Sequence, residues 1–430
     1  MTDAPNAASR WHDRLAARFT SSFPERVAWR TLGREAELPV VHPDGTAADI
    51  ACLWPYLAEG ADARWHREGD LVVGVDVPGV SWSAEVGFGT IEAVMGVFRD
   101  LHEMRDTHEA AMERLMGAAD RAGVVVLGYG IQPLTPATPH LMTAKRRYRV
   151  LLDVLGETWL WFTLTASDQT HVAVDRGEAV GAADLTNLLA PVSVALLANS
   201  PVYAGSQSGF ISAREATMGR IHAASFRHGM PAGPCRDGRG WVGRTLPLDY
   251  LMHRDGEVIT PVGEPFGAWL DAQKFDEDAA FAAWSWHDHY VWNSARPRTA
   301  HGTVELRSPC QQPWSEHMAA AALGAGMVCA WPELQAFLDA ELGDAAWPTL
   351  RRWHGEVVRH GLAAEEPVPG LIAGVLRRVE DGLAARGLGE ERYVAPLWRR
   401  LEARVNPGQA ALEAFRAGGI PGLIDHARVG

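Results

Sequence analysis

Four short segments alternate acidic or other ligand-type side chains with apolar ones, and this period of two is where the sequence carries chemistry. In residues 31–38, Gly33, Glu35 and Glu37 fall on one side and Leu32, Ala36 and Leu38 on the other. In Leu71–Val77, Gly74 and Asp76 oppose Val73, Val75 and Val77. Residues 302–307 set Thr303, Glu305 and Arg307 against Val304 and Leu306. The long run 159–175 sets Thr165, Ser167, Gln169 and His171 against Leu164, Ala166, Val172 and Val174. Side-chain direction alternates along a strand, so one face of such a sheet is core and the other is free for chemistry. Any one of these faces is also what an ordinary solvated antiparallel strand presents. Carboxylates two residues apart, recurring in separate segments with a histidine between them, point further, to Mg2+. That ion takes several oxygen ligands from different elements around bound phosphates.

These segments must be held by the rest of the chain. Ile91, Val94, Met95, Phe98 and Leu101 recur at helical spacing, which predicts one long amphipathic helix reaching Leu115 and Met116 and stopped by Gly123. Residues 124–127 read as a buried strand entering a Pro/Thr-rich loop over 132–140, followed by the basic cluster Lys145, Arg146 and Arg147. Residues 184–198 are apolar enough for a core helix, with Pro191 at a kink or in a first turn. Residues 203–240 lack a regular pattern and carry His222 and His228, the composition of a lid over a site. From His317 onward, Ala-, Leu- and Arg-rich helical segments dominate, interrupted at Pro332, Pro367 and Pro407. With no internal repeat and no long linker, residues 1–430 read as a single α+β catalytic domain with a mainly helical segment from about residue 317.

Composition narrows the function. The formal net charge of -13 excludes a general nucleic-acid binder, because a polyanion needs a basic face. Cys52, Cys235, Cys310 and Cys329 are far apart and form no CxxC pair, so neither a zinc cluster nor a secreted disulfide framework is expected. No apolar core of signal-peptide length stands near the start, and the apolar stretch 318–331 is too short to span a bilayer. The expectation is a cytoplasmic protein with small-molecule partners, and neither nucleic acid nor membrane.

Five pieces of sequence, in order over roughly the first three quarters of the chain, resemble the glutamate-cysteine ligases of the second type and related carboxylate-amine ligases. Gly33-Arg-Glu-Ala-Glu-Leu is similar to that family's opening G-x-E-x-E strand. Asp76 and Glu85, in VDVPGVSWSAEVGFGTIEAV, resemble its second acidic segment, and Lys145, Arg147 and Tyr148 in AKRRYRVL its K-x-R-Y segment. QTHVAVD at 169–175 is followed by LLANSPVYAGSQSGFISAR, a long and specific signal ending at Arg214. ARPRTAHGTVELRS, at 295–308, resembles the R-P-x-x-x-x-G-T-x-E-x-R segment, and NPGQAALEAFRAGG at 406–419 the final helix of the same branch. Three departures bear on the second substrate: Asp76 replaces a common Glu, Cys310-Gln311-Gln312 replaces a common acidic position, and Ala173 replaces a common Asn or His.

The resemblance implies the fold of the glutamine synthetase catalytic domain, a curved antiparallel sheet with the active site on its open face and helices packed behind. It implies an ATP-dependent ligase that activates a carboxylate, the γ-carboxylate of glutamate, as an acyl phosphate and joins it to an amine such as cysteine. Glu35, Glu37, Glu85, His171 and Glu305 are then the expected ligands of two or three Mg2+ ions, with Asp76 a further ligand or a base near the amine. Arg307 is the expected clamp on the phosphoryl group in transit. Lys145, Arg147, Tyr148, Gln169, Asn199, Arg214 and Arg296 are the expected ATP and substrate contacts. Among the 17 tryptophans, Trp82, Trp286 and Trp292 are candidates to stack on adenine. Two alternatives stand beside this reading: the same chemistry with a different amine, motivated by the Cys310-Gln311-Gln312 departure, and a homologue that binds without turning over.

Overall fold

The computed structural model describes residues 10–221 and 226–430. Among them the dominant element is a nine-stranded antiparallel sheet. Numbered along the chain, its strands are β1 (Leu32–Val41), β2 (Arg64–Glu68), β3 (Leu71–Val77), β4 (Val80–Ala84), β5 (Thr90–Phe98), β6 (Val125–Val126), β7 (Asp168–Ala173), β8 (Ala295–Arg298) and β9 (Thr303–Leu306). The spatial order is β8-β9-β7-β1-β5-β4-β3-β2, with β6 paired to the far end of β1.

Register decides which side chains share a face. Glu35 lies opposite Gln169 on β7 and Val94 on β5, and Glu37 lies opposite Glu92 on β5. Glu305 lies opposite His171, and His171 opposite Gly33. Directly opposed residues in an antiparallel ladder point the same way, so the four alternating segments deliver their polar side chains to one open face. The other face is core: Ala36, Val75, Trp82, Ile91, Ala93, Val172 and Val304 are fully buried there. Arg34 also points back, where its guanidinium grips Asp168 through two 2.8 Å hydrogen bonds and locks β1 to β7. The helix Ala319–Cys329, apolar on every side and buried, lies against β7 and β9. Its Gly324 permits that approach, because a Cβ there would stand 3.1 Å from Leu306 and 3.2 Å from Thr170. The C-terminal part is helical, ending with Pro407–Ala427, whose start is fixed by an Asn406/Gln409 capping box.

Two expectations change, and the one for Pro191 holds. The predicted helix from Ile91 begins only at Leu101, because Asp100 caps it by accepting from the His102 and Glu103 amides, while Thr90–Phe98 is strand. The β-branched residues Thr90, Ile91, Val94 and Val97 favour that outcome. The run 159–175 is not one strand: Gly156–Thr163 coils as a 3-10 helix whose Trp159 and Phe162 pack together at 4.6 Å between ring centroids, and pairing starts at Asp168. Pro191 sits in the first turn of Ala190–Leu197, bent 52° from the buried helix Ala179–Leu188. Among the described residues no single helix is long and apolar enough to cross a membrane.

Candidate active site

A cavity of about 240 Å³ opens on the polar face of the sheet. Its floor is Glu35, Glu37, Gln169 and Arg307 from the sheet and its margins, joined by Glu92 and by Glu85 just beyond β4. One wall is aromatic, with Tyr148, Trp159, Phe162, Tyr290 and Trp292. The lining also carries charge: Arg147, which donates to the Tyr148 hydroxyl at 3.1 Å, and Arg214, Glu215, Arg296 and Arg298.

The carboxylates divide into two clusters. In the first, ligand-type atoms of Glu35, His171 and Glu305 lie within 4.8 Å of one another. His171 Nε2 stands 3.1 Å from Glu35 Oε1, and Nδ1 3.2 Å from the Thr303 hydroxyl, which fixes the ring. Glu305, 1% exposed, accepts from Arg296 Nε at 2.9 Å and is ion-paired with Arg298, whose Nε stands 3.1 Å away, and with Arg307. Burial opposes its charge, yet the three guanidiniums hold its carboxyl well below the usual range. Burial opposes Glu35 too, and the adjacent His171 holds it below its ordinary value.

The second cluster is Glu37, Glu85 and Glu92, again within 4.8 Å. Here hydrogen bonds come from neutral groups. Glu37 accepts from the Ser167 amide at 2.6 Å and the Gln169 amide at 2.8 Å, and Glu92 from the Ser83 hydroxyl at 2.8 Å. Burial and the neighbouring Glu85 push Glu37 up to about 7, and the same two causes carry Glu92 well above the carboxylate range. Three carboxylates converging without a cation favour bound protons, or a bound cation in their place. Oxygen donors from three elements fit a hard divalent ion in both clusters, with one imidazole in the first.

Of the residues expected from sequence, Glu35, Glu37, Glu85, Arg147, Tyr148, Gln169, Arg214, Arg296 and Arg307 line the cavity, and His171 and Glu305 adjoin it. Gln169 joins the clusters: its amide nitrogen donates to Glu37, and its oxygen accepts from Arg307. Three expectations are corrected. Asp76 sits on the same face but three strands from Glu35, roughly 14 Å at ordinary strand spacing. It accepts from Ser81 at 2.6 Å and stands 2.7 Å from His66 Nε2, in a flanking groove, so it is not placed to complete either cluster. Lys145 turns away from the cavity, its buried ammonium donating to the Ala84 carbonyl. Asn199 is a brace, donating to the carbonyls of Gly128 and Gln311 at 2.8 and 2.9 Å.

Trp82 is fully buried behind the sheet and cannot stack on a ligand, Trp286 lines a neighbouring groove, and Trp292 lines the cavity. Of the two lid histidines, His228 is in the cavity wall and His222 lies outside the described residues. Cys310, Gln311 and Gln312 are buried away from the cavity: Gln311 bonds the Glu37 carbonyl and Gln312 those of Leu197 and Cys310. The sequence reading missed Glu92, Arg298, Glu215 and, of the aromatic wall, Trp159, Phe162 and Tyr290. Glu92 was legible, since Thr90, Glu92 and Val94 alternate with Ile91, Ala93 and Met95 as in the other strands. Arg298 was legible too, two residues from Arg296 on β8, whereas nothing local marks the others, which come from loops and short helices assembled by tertiary packing.

The chain is 24% identical to the chloroplastic glutamate–cysteine ligase of Arabidopsis thaliana over 392 residues, covering 85% of this chain and 72% of that one. The corresponding enzyme of Brassica juncea is 25% identical over 391 residues, with 85% and 73% covered. Among solved structures, glutamate–cysteine ligase from Francisella tularensis in complex with AMP superposes with a TM-score of 0.52 at 11% identity, covering 94% of this chain and 88% of that one. A bifunctional glutathione synthetase from Pasteurella multocida gives 0.50 at 13%, and the chain, 98% covered, spans 53% of that enzyme's length. These likenesses show a shared fold. The model of glutamate-cysteine ligase family 2 matches residues 32–425, and the chain belongs to that family.

Proposed function

We propose that the protein is an ATP- and Mg2+-dependent ligase that joins the γ-carboxylate of glutamate to an amine such as that of cysteine. The observation that carries this reading is the pair of carboxylate clusters facing one cavity with five arginines in its lining. Glu35, His171 and Glu305 would hold one Mg2+, and Glu37, Glu85 and Glu92 one or two more. Bound Mg2+ supplies Lewis-acid neutralisation of phosphate charge.

The rest of the chemistry belongs to the chain's own groups. Amide formation from a free carboxylate is uphill in water, so the acid first attacks the γ-phosphorus of ATP, giving an acyl phosphate and ADP. The amine then displaces phosphate from the acyl carbon. Arg307 and Arg298, held at the cavity floor by Glu305, present guanidinium forks to the phosphoryl group in transit. Arg147 and Arg214, also in the lining, would receive substrate carboxylates. The flanking groove runs outward from Glu35 and His171 over Val77, Val80, Val94 and Val97, an apolar shelf suited to a nucleotide base. Asp76 and His66 then lie on the nucleotide's side of the site, away from the amine.

A second reading keeps the chemistry and changes the amine. Because Cys310, Gln311 and Gln312 lie outside the cavity wall, that reading rests instead on Trp159, Phe162 and Trp292, which offer a larger apolar surface than a thiol needs. Pure protein is incubated with ATP, Mg2+, glutamate and a panel of amines, with ADP measured and products identified by mass. γ-Glutamyl amide with cysteine supports the first reading, and amide only with bulkier amines supports the second. ADP release without amide in any mixture overturns both.

A further inference from the structure

The two edges of the sheet are finished differently. β8, at one end, is buried up to Arg298 and carries Pro297, whose nitrogen has no hydrogen to offer a further strand. β2, at the other end, is paired with β3 along one side, and among the described residues no backbone group of 64–68 bonds to anything else. Trp65 in this strand is 41% exposed, and the Arg64 side chain 79%. A row of unpaired amides and carbonyls is a template for another strand.

The order of side chains along β2, Arg64-Trp65-His66-Arg67-Glu68, says which strand fits it. Arg64 and Glu68 stand at equal distances on either side of His66, and so do Trp65 and Arg67. Two copies of a strand that pair antiparallel are related by a two-fold axis perpendicular to the sheet. Directly opposed residues share a face, so that axis passes through a residue and never between two. An axis through Arg67 would set one Arg67 against the other, and an axis through Trp65 would leave Glu68 beyond the paired strand. With the axis through His66, all five residues pair: Arg64 opposes Glu68 twice, and Trp65 opposes Arg67 twice. Arg64 and His66 lie opposite Asp76 and Gly74, on the polar face, whereas Trp65 lies opposite the buried Val75. The ion pairs therefore fall on the polar face, and the stacking of guanidinium on indole falls on the apolar one. Asp62 and Asp70 approach each other only past the strand ends, where Gly69, at φ 63°, turns the chain back into β3.

We propose that β2 is a self-association edge, and that a second copy of this chain pairs with it antiparallel about an axis through His66. The two nine-stranded sheets then run on as one. This inference stands apart from the ligase reading. Five residues a side is well below the roughly 20–30 of a permanent interface, so the dimer is reversible and depends on concentration. His66 also lines the flanking groove, and pairing sets the grooves of the two copies side by side across the axis.

Sedimentation equilibrium on the full chain, from ~1 to ~500 μM at low salt, is expected to show monomer and dimer with a Kd of roughly 10–100 μM. Raising the salt to ~0.5 M should weaken the dimer several-fold, because the ion pairs are exposed. Glu68→Arg sets like charges opposite each other and should weaken it at least ~10-fold; adding Arg64→Glu restores opposite signs and should recover the wild-type Kd within ~3-fold. A disulfide reads the register. In a Cys52→Ser background, which removes the exposed thiol, His66→Cys should oxidise to a covalent dimer and Arg64→Cys should not. Opposed Cα atoms are about 4.5–5.5 Å apart, within disulfide reach, whereas the two copies of residue 64 are four residues out of step. Hydrogen exchange on the unaltered chain keeps the test decisive if a variant does not fold: amides of 64–68 should slow as concentration rises, and those of β8 should not change. A chain that is monomeric throughout, or a dimer that protects a surface other than 64–68, overturns the inference. So does a dimer indifferent to Glu68→Arg, a folded double variant that fails to recover, or a disulfide formed as readily by Arg64→Cys as by His66→Cys.

Discussion

The two carboxylate clusters occupy neighbouring positions on the same sheet face, draw their carboxylates from glutamate alone, and have opposite electrostatics. Glu305 is enclosed by three guanidiniums and Glu35 is paired with His171, so the first cluster is ionised and internally neutralised. Glu37 and Glu92 receive neutral hydrogen bonds and face Glu85, so both are held toward their protonated forms. The first is thus tied into the protein's own ion pairs, and the second, on the proposed reading, depends on bound Mg2+ for its counter-charge. This contrast follows from the strands that flank each one. β8 and the end of β9 bring arginines to Glu305, whereas β4 and β5 bring only serine and more glutamate to Glu37.

Glu305→Gln should give the largest effect. It leaves Arg296, Arg298 and Arg307 without their shared counter-charge, and breaking a buried ion pair costs about 3–5 kcal/mol. Turnover should fall by ~10³ or more, since the phosphoryl-facing arginines lose their anchor. A denaturant melt and an ADP-release assay on the same preparation check both. Unchanged stability would mean that the arginines are neutralised elsewhere and that the contrast is false.

Glu92→Gln should do the opposite to stability. Removing one of three mutually repelling carboxylates should leave the metal-free protein as stable or slightly more so. The Mg2+ needed for half-maximal turnover should rise by at least the ~10- to 100-fold that loss of a mere supporting contact costs. Destabilisation like that of the Glu305 variant would erase the distinction.

The clusters should also separate by pH in chelator-treated protein. Glu37 has a folded value near 7 against an ordinary 4.5, so the stability it contributes is complete below about 4.5 and is lost as pH rises through 7. That loss is roughly 3 kcal/mol at most. Glu35 and Glu305 are shifted down, so what they contribute is present above 4.5 and is lost as pH falls through their lower folded values. Metal-free Tm should therefore decline between pH 4.5 and 7, and saturating Mg2+ should abolish that decline by displacing the protons. A decline that persists with Mg2+ would place the titrating group outside the second cluster.

What could be read from sequence follows the same division. The first cluster was fully visible, because Glu35, His171 and Glu305 each sit in a strand with clean alternation. The second was visible in Glu37 and Glu85 but not in Glu92, where Ile91, Val94, Met95, Phe98 and Leu101 also satisfy helical spacing and only pairing with β1 and β4 decides. Arg298 shares a face of β8 with Arg296, two residues away, whereas Glu215 could not be read, because nothing at its position distinguishes a cavity wall from a solvated helix. Lys145 and Asn199 fit sequence motifs yet point into backbone carbonyls, since a motif fixes residue type and leaves side-chain direction to packing.

The smallest effect is expected where the sequence reading and the structure diverge most. Asp76 was a candidate base or ligand, and it lies across three strands from the first cluster, 35% exposed, held by Ser81 and His66. Burial is slight, and these partners keep its carboxyl below the ordinary value, so it is a charged acceptor across the functional pH range and a poor base for an amine. Asp76→Asn keeps its size and one acceptor oxygen while removing the charge. If Asp76 only borders the nucleotide, the KM for ATP should rise by about five-fold or less, the net worth of one hydrogen bond, and kcat and the KM for the amine should stay unchanged. Steady-state kinetics with each substrate varied in turn measures this. A fall of two orders of magnitude in kcat, with the KM for ATP unaltered, would return Asp76 to the chemistry and would mean that the sheet closes around its substrates more tightly than the distance between these strands allows.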